Sequence, residues 1–272
     1  PLWAPTPRHQ RFQAALRQLD QAVQQLVAER RAALAAGAPP PDDLLQRLLE
    51  ARAEDGQPMA AGQLRDEIIT LLIAGHETVA SALTWTWHLL AAHPEAEARL
   101  HLELETELAG RQPTVDDLAR LPYTRAVFDE ALRLYPPAWL ITRQALSQDQ
   151  VGGHIIPAGA LVIIRPYVVH RQPAHWPDPE RFQPERFLGE PAALRFAYLP
   201  FGGGPRQCIG NTFALLEGAL VLATLAQRCR LRPMPDRSVK AEALVTIRPH
   251  GGLWMTMEKR ELRNDEQGRE AA

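Results

Sequence analysis

Residues 201–210 read Phe-Gly-Gly-Gly-Pro-Arg-Gln-Cys-Ile-Gly, and a long apolar segment follows from Asn211 to Arg228. That segment has the length and apolar character of a helix, so the loop places the sulfur of Cys208 just before a helix N-terminus. Unpaired backbone N–H groups and the positive end of the helix dipole favour thiolate over thiol there. Thiolate is the metal-binding form of cysteine, and the glycines leave the backbone open to a large flat ligand. The segment therefore predicts a metal or cofactor site at Cys208.

Other uses of such a loop fit the sequence less well. No glycine is followed by Lys and then Ser or Thr, and the G-x-G-x-x-G register breaks at Gln207, which argues against a nucleotide site. A zinc site needs about four ligands, and Cys208 has no neighbouring Cys or His in the sequence. On this segment alone, a buried inert cysteine beside a flexible loop stays open as an alternative.

A long central helix is the second feature of the sequence. Residues 61–93 contain no Pro and only two glycines, Gly62 near the start and Gly75 in the middle, and Pro94 ends the pattern. Between Ile68 and Leu83 the residues are apolar around most of the helix, which predicts an interior helix. Residues 74–78 read Ala-Gly-His-Glu-Thr, and an acid in apolar surroundings needs a polar partner. A helix break at Gly75 is the alternative, and a metalloprotease is excluded because His76 lacks a second His four residues later.

A pair of opposite charges lies on a further predicted helix, from Pro122 to Leu134. Glu130 and Arg133 are three residues apart, and the other positions are apolar on nearly every side. On a surface such a pair contributes only ~0.3 kcal/mol. In the interior both groups must be fully hydrogen-bonded, which normally requires a third partner.

These segments together resemble the cytochrome P450 family of haem-thiolate proteins, and specifically the C-terminal part of a bacterial-type member. The resemblance implies that Cys208 is the proximal ligand of haem b (iron protoporphyrin IX) and that Arg206 and Arg143 contact its propionates. It also assigns Glu77 and Thr78 to proton delivery as the catalytic pair, and no role to His76. The predicted cofactor-binding residues are Cys208, Arg206, Arg143, Phe201, Gly202, Gly210 and Ala74.

The resemblance implies further structural and substrate-binding residues. Glu130 and Arg133 form a triad with Arg186, which lies in the Pro-Glu-Arg-Phe segment at residues 184–187 and supports the loop under the haem. The segment from His170 to Pro179 is expected to be structural. The pocket for a hydrophobic substrate is expected to be lined by Ala74, Thr78, Leu140, Ile141 and the turn at residues 251–253.

The expected fold is mainly α with small β-sheets (α+β), with a long central helix over the haem site. Residues 151–164 predict two short strands around the turn at Pro157, and residues 165–204 a structureless stretch. Residues 244–247 predict a further strand. Family members have a considerable portion before the central helix, whereas only 74 residues precede Gly75. Residues 1–260 are therefore interpreted as an incomplete catalytic domain that binds haem poorly by itself, and residues 261–272 as a charged, disordered tail.

The resemblance implies a monooxygenase that inserts one oxygen atom from O2 into a hydrophobic organic substrate. Electrons come from a separate ferredoxin or flavoprotein reductase, because no flavin or nicotinamide loop is present and two cysteines cannot hold a four-thiolate cluster. Two alternatives stay open. One is a haem-thiolate enzyme that uses or rearranges a peroxide, and the other is a non-catalytic haem-binding sensor.

The composition of the chain limits which partners it can attract and in which compartment it is expected. The chain has 272 residues, 46% of them hydrophobic, and a net charge of −2, so it has no basic excess that would attract nucleic acid or anionic lipid. Its apolar runs are far shorter than the ~20 residues of a membrane span. Two cysteines, Cys208 and Cys229, suit a reducing compartment. These features predict a cytoplasmic protein with no membrane span, and a monomer served by a separate electron donor is the simplest expectation.

Overall fold

The computed structural model describes residues 6–52, 56–189, 196–235 and 237–260, so the predicted tail at 261–272 lies outside the described residues. The described chain consists of helices and short strands joined by loops and turns. The helices are α1 (Pro7–Ala35), α2 (Leu44–Glu50), α3 (Ala61–Ala92), α4 (Pro94–Leu108), α5 (Pro122–Leu134), α6 (Pro166–Val169) and α7 (Asn211–Arg228). The strands are β1 (Ile141–Gln144), β2 (Asp149–Val151), β3 (His154–Ile156), β4 (Leu161–Ile164), β5 (Cys229–Pro233), β6 (Ala241–Ala243), β7 (Ile247–Pro249) and β8 (Met255–Lys259).

The chain divides into two compact units, residues 1–76 and 77–272, with the boundary inside α3. In the first unit, the side chain of Asp43 caps α2 by accepting a hydrogen bond from the backbone N–H of Gln46 at 2.9 Å. A small core holds the unit together and consists of Val23, Leu64 and Ile68. α2 ends at Glu50, because the backbone becomes extended at Ala51.

Four helices enclose the core of the second unit. The C-terminal half of α3 packs with α4, α5 and α7, and side chains such as Leu90, Leu100, Val127 and Leu222 have no exposed surface. Proline occupies the first turn of α4 and of α5, where its missing N–H has no intrahelical partner to lose. The bounds of α5 and α7 are those predicted from the sequence.

The middle of α3 differs from the expectation of an interior helix. Leu72 is 50% exposed and Ile73 is 52% exposed, whereas Trp85 and Leu90 farther along the helix are buried. The buried residues of α3 are therefore those that pack against the core, which lies along the C-terminal half of the helix. Apolar composition alone did not indicate which part of α3 is buried. By length and composition α3 could cross a membrane, although the core helix of a soluble protein passes the same test. The absence of a membrane span stays a prediction.

The strands form antiparallel two-stranded ribbons, and their pairing corrects the sequence interpretation. The two strands predicted around Pro157 are present as β3 and β4, but they do not pair with each other. Instead β3 pairs with β2, and β4 pairs with β1, in a register that places Thr142 opposite Ile163. The stretch predicted to lack structure contains α6 and a 3-10 turn at Pro184–Phe187. Residues 244–246, predicted as strand, form the turn between β6 and β7.

Candidate functional site

The cysteine loop closes on itself immediately before α7. The backbone N–H of Cys208 donates to the carbonyl of Phe201 at 3.0 Å, and that of Gln207 donates to the carbonyl of Gly204 at 3.0 Å. Cys208 is an exposed free thiol, and α7 begins three residues later at Asn211. The backbone thus holds an accessible sulfur next to the unpaired N–H groups of a long helix.

Two glycines in this loop have backbone conformations that favour glycine. Gly202 has φ 71° and Gly204 has φ 74°, both in the left-handed region. A Cβ atom on Gly202 would lie 3.5 Å from Cδ1 of Ile141, and one on Gly210 would lie 3.9 Å from Sγ of Cys208. The loop therefore brings together Gly202 and Ile141, which the sequence had placed in separate parts of the predicted site.

The surroundings of the thiol fit a haem. Ile209 is 92% exposed and Phe213 is 65% exposed, so large apolar side chains flank Cys208 in the chain without being covered. Such groups suit an apolar macrocycle, and the thiol suits its iron. Within the described ranges there is no group of three or more His, Cys, Asp or Glu residues that could hold a separate metal ion. The donor chemistry is that of one protein ligand to a cofactor.

The start of the loop is anchored to the helices behind it. Phe201 packs against a small cluster formed by Ala82 of α3 with Phe128 and Leu132 of α5, and Leu215 of α7 joins the same cluster. Because three helices contribute to it, the position of the loop depends on how those helices pack. Phe201 therefore has a packing role in addition to the cofactor contact predicted for it.

Glu130 and Arg133 form a fully buried pair on α5. Nε of Arg133 donates to Glu130 Oε2 at 2.6 Å, and Nη2 donates to Glu130 Oε1 at 2.8 Å. The remaining donors reach backbone carbonyls: Nη1 binds His170 at 2.8 Å and Pro179 at 2.7 Å, and Nη2 binds Arg181 at 3.1 Å. All five N–H donors of the guanidinium thus have partners, which is the condition under which a buried arginine is tolerated.

Arg186, the predicted third member, lies beside this pair but contacts it less closely. Its Nε is 3.5 Å from Glu130 Oε1, and its Nη2 donates to the carbonyl of Asp178 at 3.0 Å. The same carboxylate oxygen of Glu130 accepts the backbone N–H of Gln183 at 2.9 Å. The structure therefore brings the three predicted residues together and adds a backbone donor that the sequence could not indicate.

His170 connects the buried pair to the cysteine loop, a role that sequence reasoning missed beyond a general structural assignment. It has no exposed surface, and its Nδ1 lies 3.0 Å from the carbonyl of Arg133, while its Nε2 lies 2.7 Å from the backbone nitrogen of Leu199. The carbonyl requires a donor and the amide requires an acceptor, so the ring is neutral with its proton on Nδ1. Burial, the main cause, lowers the pKa of His170 to about 4. Leu199 in turn accepts from Gly202, the second residue of the loop.

Glu77 is held by a partner far away in the sequence. Thr246 Oγ1 donates to Glu77 Oε1 at 2.8 Å. One and two turns farther along α3, Ser81 Oγ and Trp85 Nε1 donate to the carbonyl of Ile247 at 2.7 Å and 3.0 Å. One face of α3 is therefore fastened to the turn between β6 and β7. The spacing of these three residues predicts a common face, but no sequence signal identified Thr246.

The same turn brings a further segment to α3. Trp139 Nε1 donates to the carbonyl of Leu244 at 2.9 Å, and the N–H of Ile247 donates to the carbonyl of Pro137 at 3.2 Å. Val245, between them, is 90% exposed. The residues just before β1, which include the predicted pocket residue Leu140, thus lie beside the turn at 244–247. The pocket contribution of the turn at 251–253 stays a prediction, and no sequence signal had indicated Val245.

The other predicted residues are exposed or partly buried. Arg143 is exposed on β1, and its Nη1 donates to the carbonyl of its neighbour Thr142 at 2.8 Å. Arg206 is exposed in a 3-10 turn, Leu140 and Thr78 are partly buried, and Ala74 and His76 are exposed in the first unit. The propionate contacts of the two arginines stay predictions.

A family model described as "Cytochrome P450" matches residues 1–252. The chain therefore belongs to the cytochrome P450 family, whose members carry a haem ligated by a cysteine thiolate. This membership confirms the family resemblance that the cysteine loop, the central helix and the Glu130–Arg133 pair had indicated.

Individual relatives agree with the family assignment. The chain is 44% identical over 238 residues to cyclooctat-9-en-7-ol 5-monooxygenase from Streptomyces melanosporofaciens, covering 86% of this chain and 51% of that protein. It is 42% identical over 245 residues to pentalenene oxygenase from Streptomyces avermitilis, covering 89% of this chain and 54% of that protein. It thus spans about half the length of these curated relatives.

A solved structure of cyanobacterial CYP120A1 with retinoic acid bound has a TM-score of 0.85 and 32% identity to this chain. The alignment covers 94% of this chain and 59% of that one. It confirms the expected fold class, mainly helical with small sheets.

Proposed function

We propose that the protein to which this chain belongs is a haem-thiolate monooxygenase that inserts one oxygen atom from O2 into a hydrophobic organic substrate. The observation that carries the proposal is the accessible thiol of Cys208, held by the glycine-rich loop before α7 in a chain of the cytochrome P450 family. The relatives named above as a monooxygenase and an oxygenase support the same reaction class.

In this proposal the residues of the chain hold and orient the cofactor. The thiolate of Cys208 binds the iron, and Arg206 and Arg143 bind the propionates. Residues 201–210 and Ala74 let the backbone lie close to the faces of the haem. When bound, haem supplies the activation and transfer of oxygen, and thiolate donation favours O–O cleavage. Glu130, Arg133 and Arg186, together with His170, keep the loop in place.

Protons are supplied from the middle of α3 in this proposal. The carboxylate of Glu77 holds and passes a proton to the hydroxyl of Thr78, the next residue along the helix. The hydrogen bond from Thr246 fixes one carboxylate oxygen, so the other is left to exchange protons with solvent. Because Glu77 is exposed, it has access to water from which that proton is replaced.

The substrate and the electron donor are further parts of the proposal. The names of the relatives mention pentalenene, cyclooctat-9-en-7-ol and retinoic acid, all largely hydrocarbon, and the exposed Val245 and partly buried Leu140 offer an apolar lining. Electrons come from a ferredoxin or a flavoprotein reductase. We further propose a cytoplasmic monomer, which agrees with the two free cysteines, and a catalytic domain that extends to about residue 260.

The ligand assignment is tested with two cysteine variants of the full-length, haem-loaded protein. Cys208→Ser should abolish the carbon monoxide absorption typical of a thiolate haem, because serine cannot supply the sulfur. Cys229→Ser is the matched control: this thiol is buried, its pKa is raised by burial, and it donates to the carbonyl of Leu225 at 3.3 Å, which serine can also do. An unchanged spectrum in Cys208→Ser would refute the assignment.

The reaction type is tested separately. Product formation from a hydrophobic substrate should require both O2 and an electron donor, and product should not form from peroxide alone. Efficient turnover with peroxide in the absence of a donor would support the peroxide-using alternative. A haem-loaded protein that turns over no member of a broad substrate panel would support the sensor. A spectral titration of the same panel identifies the substrate class.

A further inference from the structure

A cavity of about 600 Å³ lies between α4 and the β5–β8 ribbon, in the second unit of the chain. It shares no lining residue with the candidate haem site. Its size falls within the range of about 300–1,000 Å³ typical of small-molecule pockets. The residues that line it are Ala98, His101, Leu102, Glu105, Arg230, Glu258, Lys259 and Arg260.

A buried histidine in the wall of this cavity lacks hydrogen-bond partners. His101 is 3% exposed, and among the described residues neither of its ring nitrogens has a partner. Burial, followed by the positive charges of Arg260, Arg230 and Arg232, lowers the pKa of His101 to about 3. The ring is therefore neutral at physiological pH and keeps one N–H donor. Buried polar groups in native proteins are almost always paired, so an unpaired imidazole beside a cavity indicates a missing partner.

The charges around the cavity indicate the sign of that partner. Arg260 is paired with Glu105. Glu258 lies 3.4 Å from Arg232, whose guanidinium also donates to both carboxylate oxygens of Glu97 at 2.9 and 2.8 Å. Arg230 and Lys259 are exposed at the cavity and make no ion pair within the described chain. The lining residues thus carry three cations, Arg230, Lys259 and Arg260, against the two carboxylates of Glu105 and Glu258. This excess of one positive charge beside a neutral donor suits an anion.

We propose that this cavity is a binding site for a small organic anion carrying a carboxylate or phosphate group. The oxygens of the anion accept hydrogen bonds from the N–H of His101 and from the guanidinium of Arg230, and the ammonium of Lys259 adds charge. Rotation of the imidazole about its broad terminal torsion directs the N–H toward the anion. The apolar side of the cavity, at Ala98 and Leu102, accommodates the organic part. This site goes beyond the proposed oxygenase reaction and does not depend on it.

The test is calorimetric titration of the full-length, haem-loaded protein with inorganic phosphate and, separately, with succinate. We expect saturable binding of at least one of them, with a dissociation constant that rises at least tenfold in His101→Leu and in Arg230→Gln. Arg17→Gln, which removes an exposed cation on α1, is the control and should leave binding unchanged. Preference for phosphate identifies a phosphorylated ligand, and preference for succinate identifies a carboxylate.

Two results would overturn the proposal: absence of saturable binding of both anions by the wild-type protein, or equal dissociation constants in wild type and His101→Leu. A purely structural histidine predicts the second result. If His101→Leu fails to fold, Arg230→Gln decides the matter alone, because Arg230 is exposed and its replacement does not disturb the core. None of these titrations measures oxygenase activity. A negative result for anion binding is therefore distinguishable from a negative result for the proposed oxygenase reaction.

Discussion

Replacing Arg133 by lysine should strongly destabilise the fold although the charge is kept. The guanidinium of Arg133 donates five hydrogen bonds, two to Glu130 and three to backbone carbonyls, and neither side chain of the pair has exposed surface. A lysine ammonium has three donors, so at least two acceptors lose their partner. Each buried acceptor left unsatisfied costs about 1–3 kcal/mol, which gives a loss of about 2–6 kcal/mol.

Urea unfolding followed by circular dichroism measures this loss as the change in the free energy of unfolding at constant slope. Arg47→Lys is the matched control, because Arg47 pairs with Asp42 at 2.8 Å but both side chains are largely exposed, at 71% and 85%. We expect the control to change stability by no more than about 0.5 kcal/mol. If Arg133→Lys also lost less than about 1 kcal/mol, the argument that this pair depends on complete hydrogen bonding would be refuted.

Three further predictions concern other parts of the second unit. The folded pKa of His101, about 3, lies below its unfolded value of 6.5, so stability is lost as the pH falls between them. His101→Leu should remove ~1.4 kcal/mol per pH unit from the slope of unfolding free energy between about pH 6 and 4, and an unchanged slope contradicts the assignment. Thr246→Val removes the hydrogen bond to Glu77 and should lower kcat about tenfold, equivalent to ~1.4 kcal/mol. Thr246→Ser keeps the hydroxyl and should restore kcat. Equal kcat in the wild type and both variants would contradict a role for this hydrogen bond in the reaction. Gly218→Ala places a Cβ 2.2 Å from the ring of Phe128, and this overpacking should lower the free energy of unfolding by about 1–3 kcal/mol. Adding Phe128→Leu should relieve the overlap and recover part of that loss. An unchanged free energy of unfolding in the single variant, measured by chemical denaturation, argues against the contact.

The structural networks change how two of the predicted sites are understood. Glu130 and Arg133 reach the cysteine loop through a neutral histidine, because His170 bonds the carbonyl of Arg133 on one side and the amide of Leu199 on the other. Protonation of His170 would remove its only acceptor nitrogen. The position of the loop under the proposed haem therefore depends on one buried ring that takes no part in the chemistry.

Local chemistry made the long helices predictable. The proline residues that begin α4 and α5 and the glycine that precedes α7 act on their own neighbours, so the bounds of α5 and α7 could be read directly from the chain. The cysteine loop is also local: its hydrogen bonds join residues no more than seven apart. The pair on α5 was predictable because a charged pair on an otherwise apolar helix must be buried and satisfied.

What the amino-acid sequence by itself determined was therefore the long helices α3, α5 and α7, the position of the thiol and the pairing of Glu130 with Arg133. Only the tertiary structure decided that β4 pairs with β1, that the middle of α3 is exposed, that His170 bridges α5 to the loop, and that Thr246 binds Glu77. The physical reason is distance along the chain. Thr246 and Glu77 are 169 residues apart, and backbone carbonyls and amides, which supply most of the other partners, are the same in every residue.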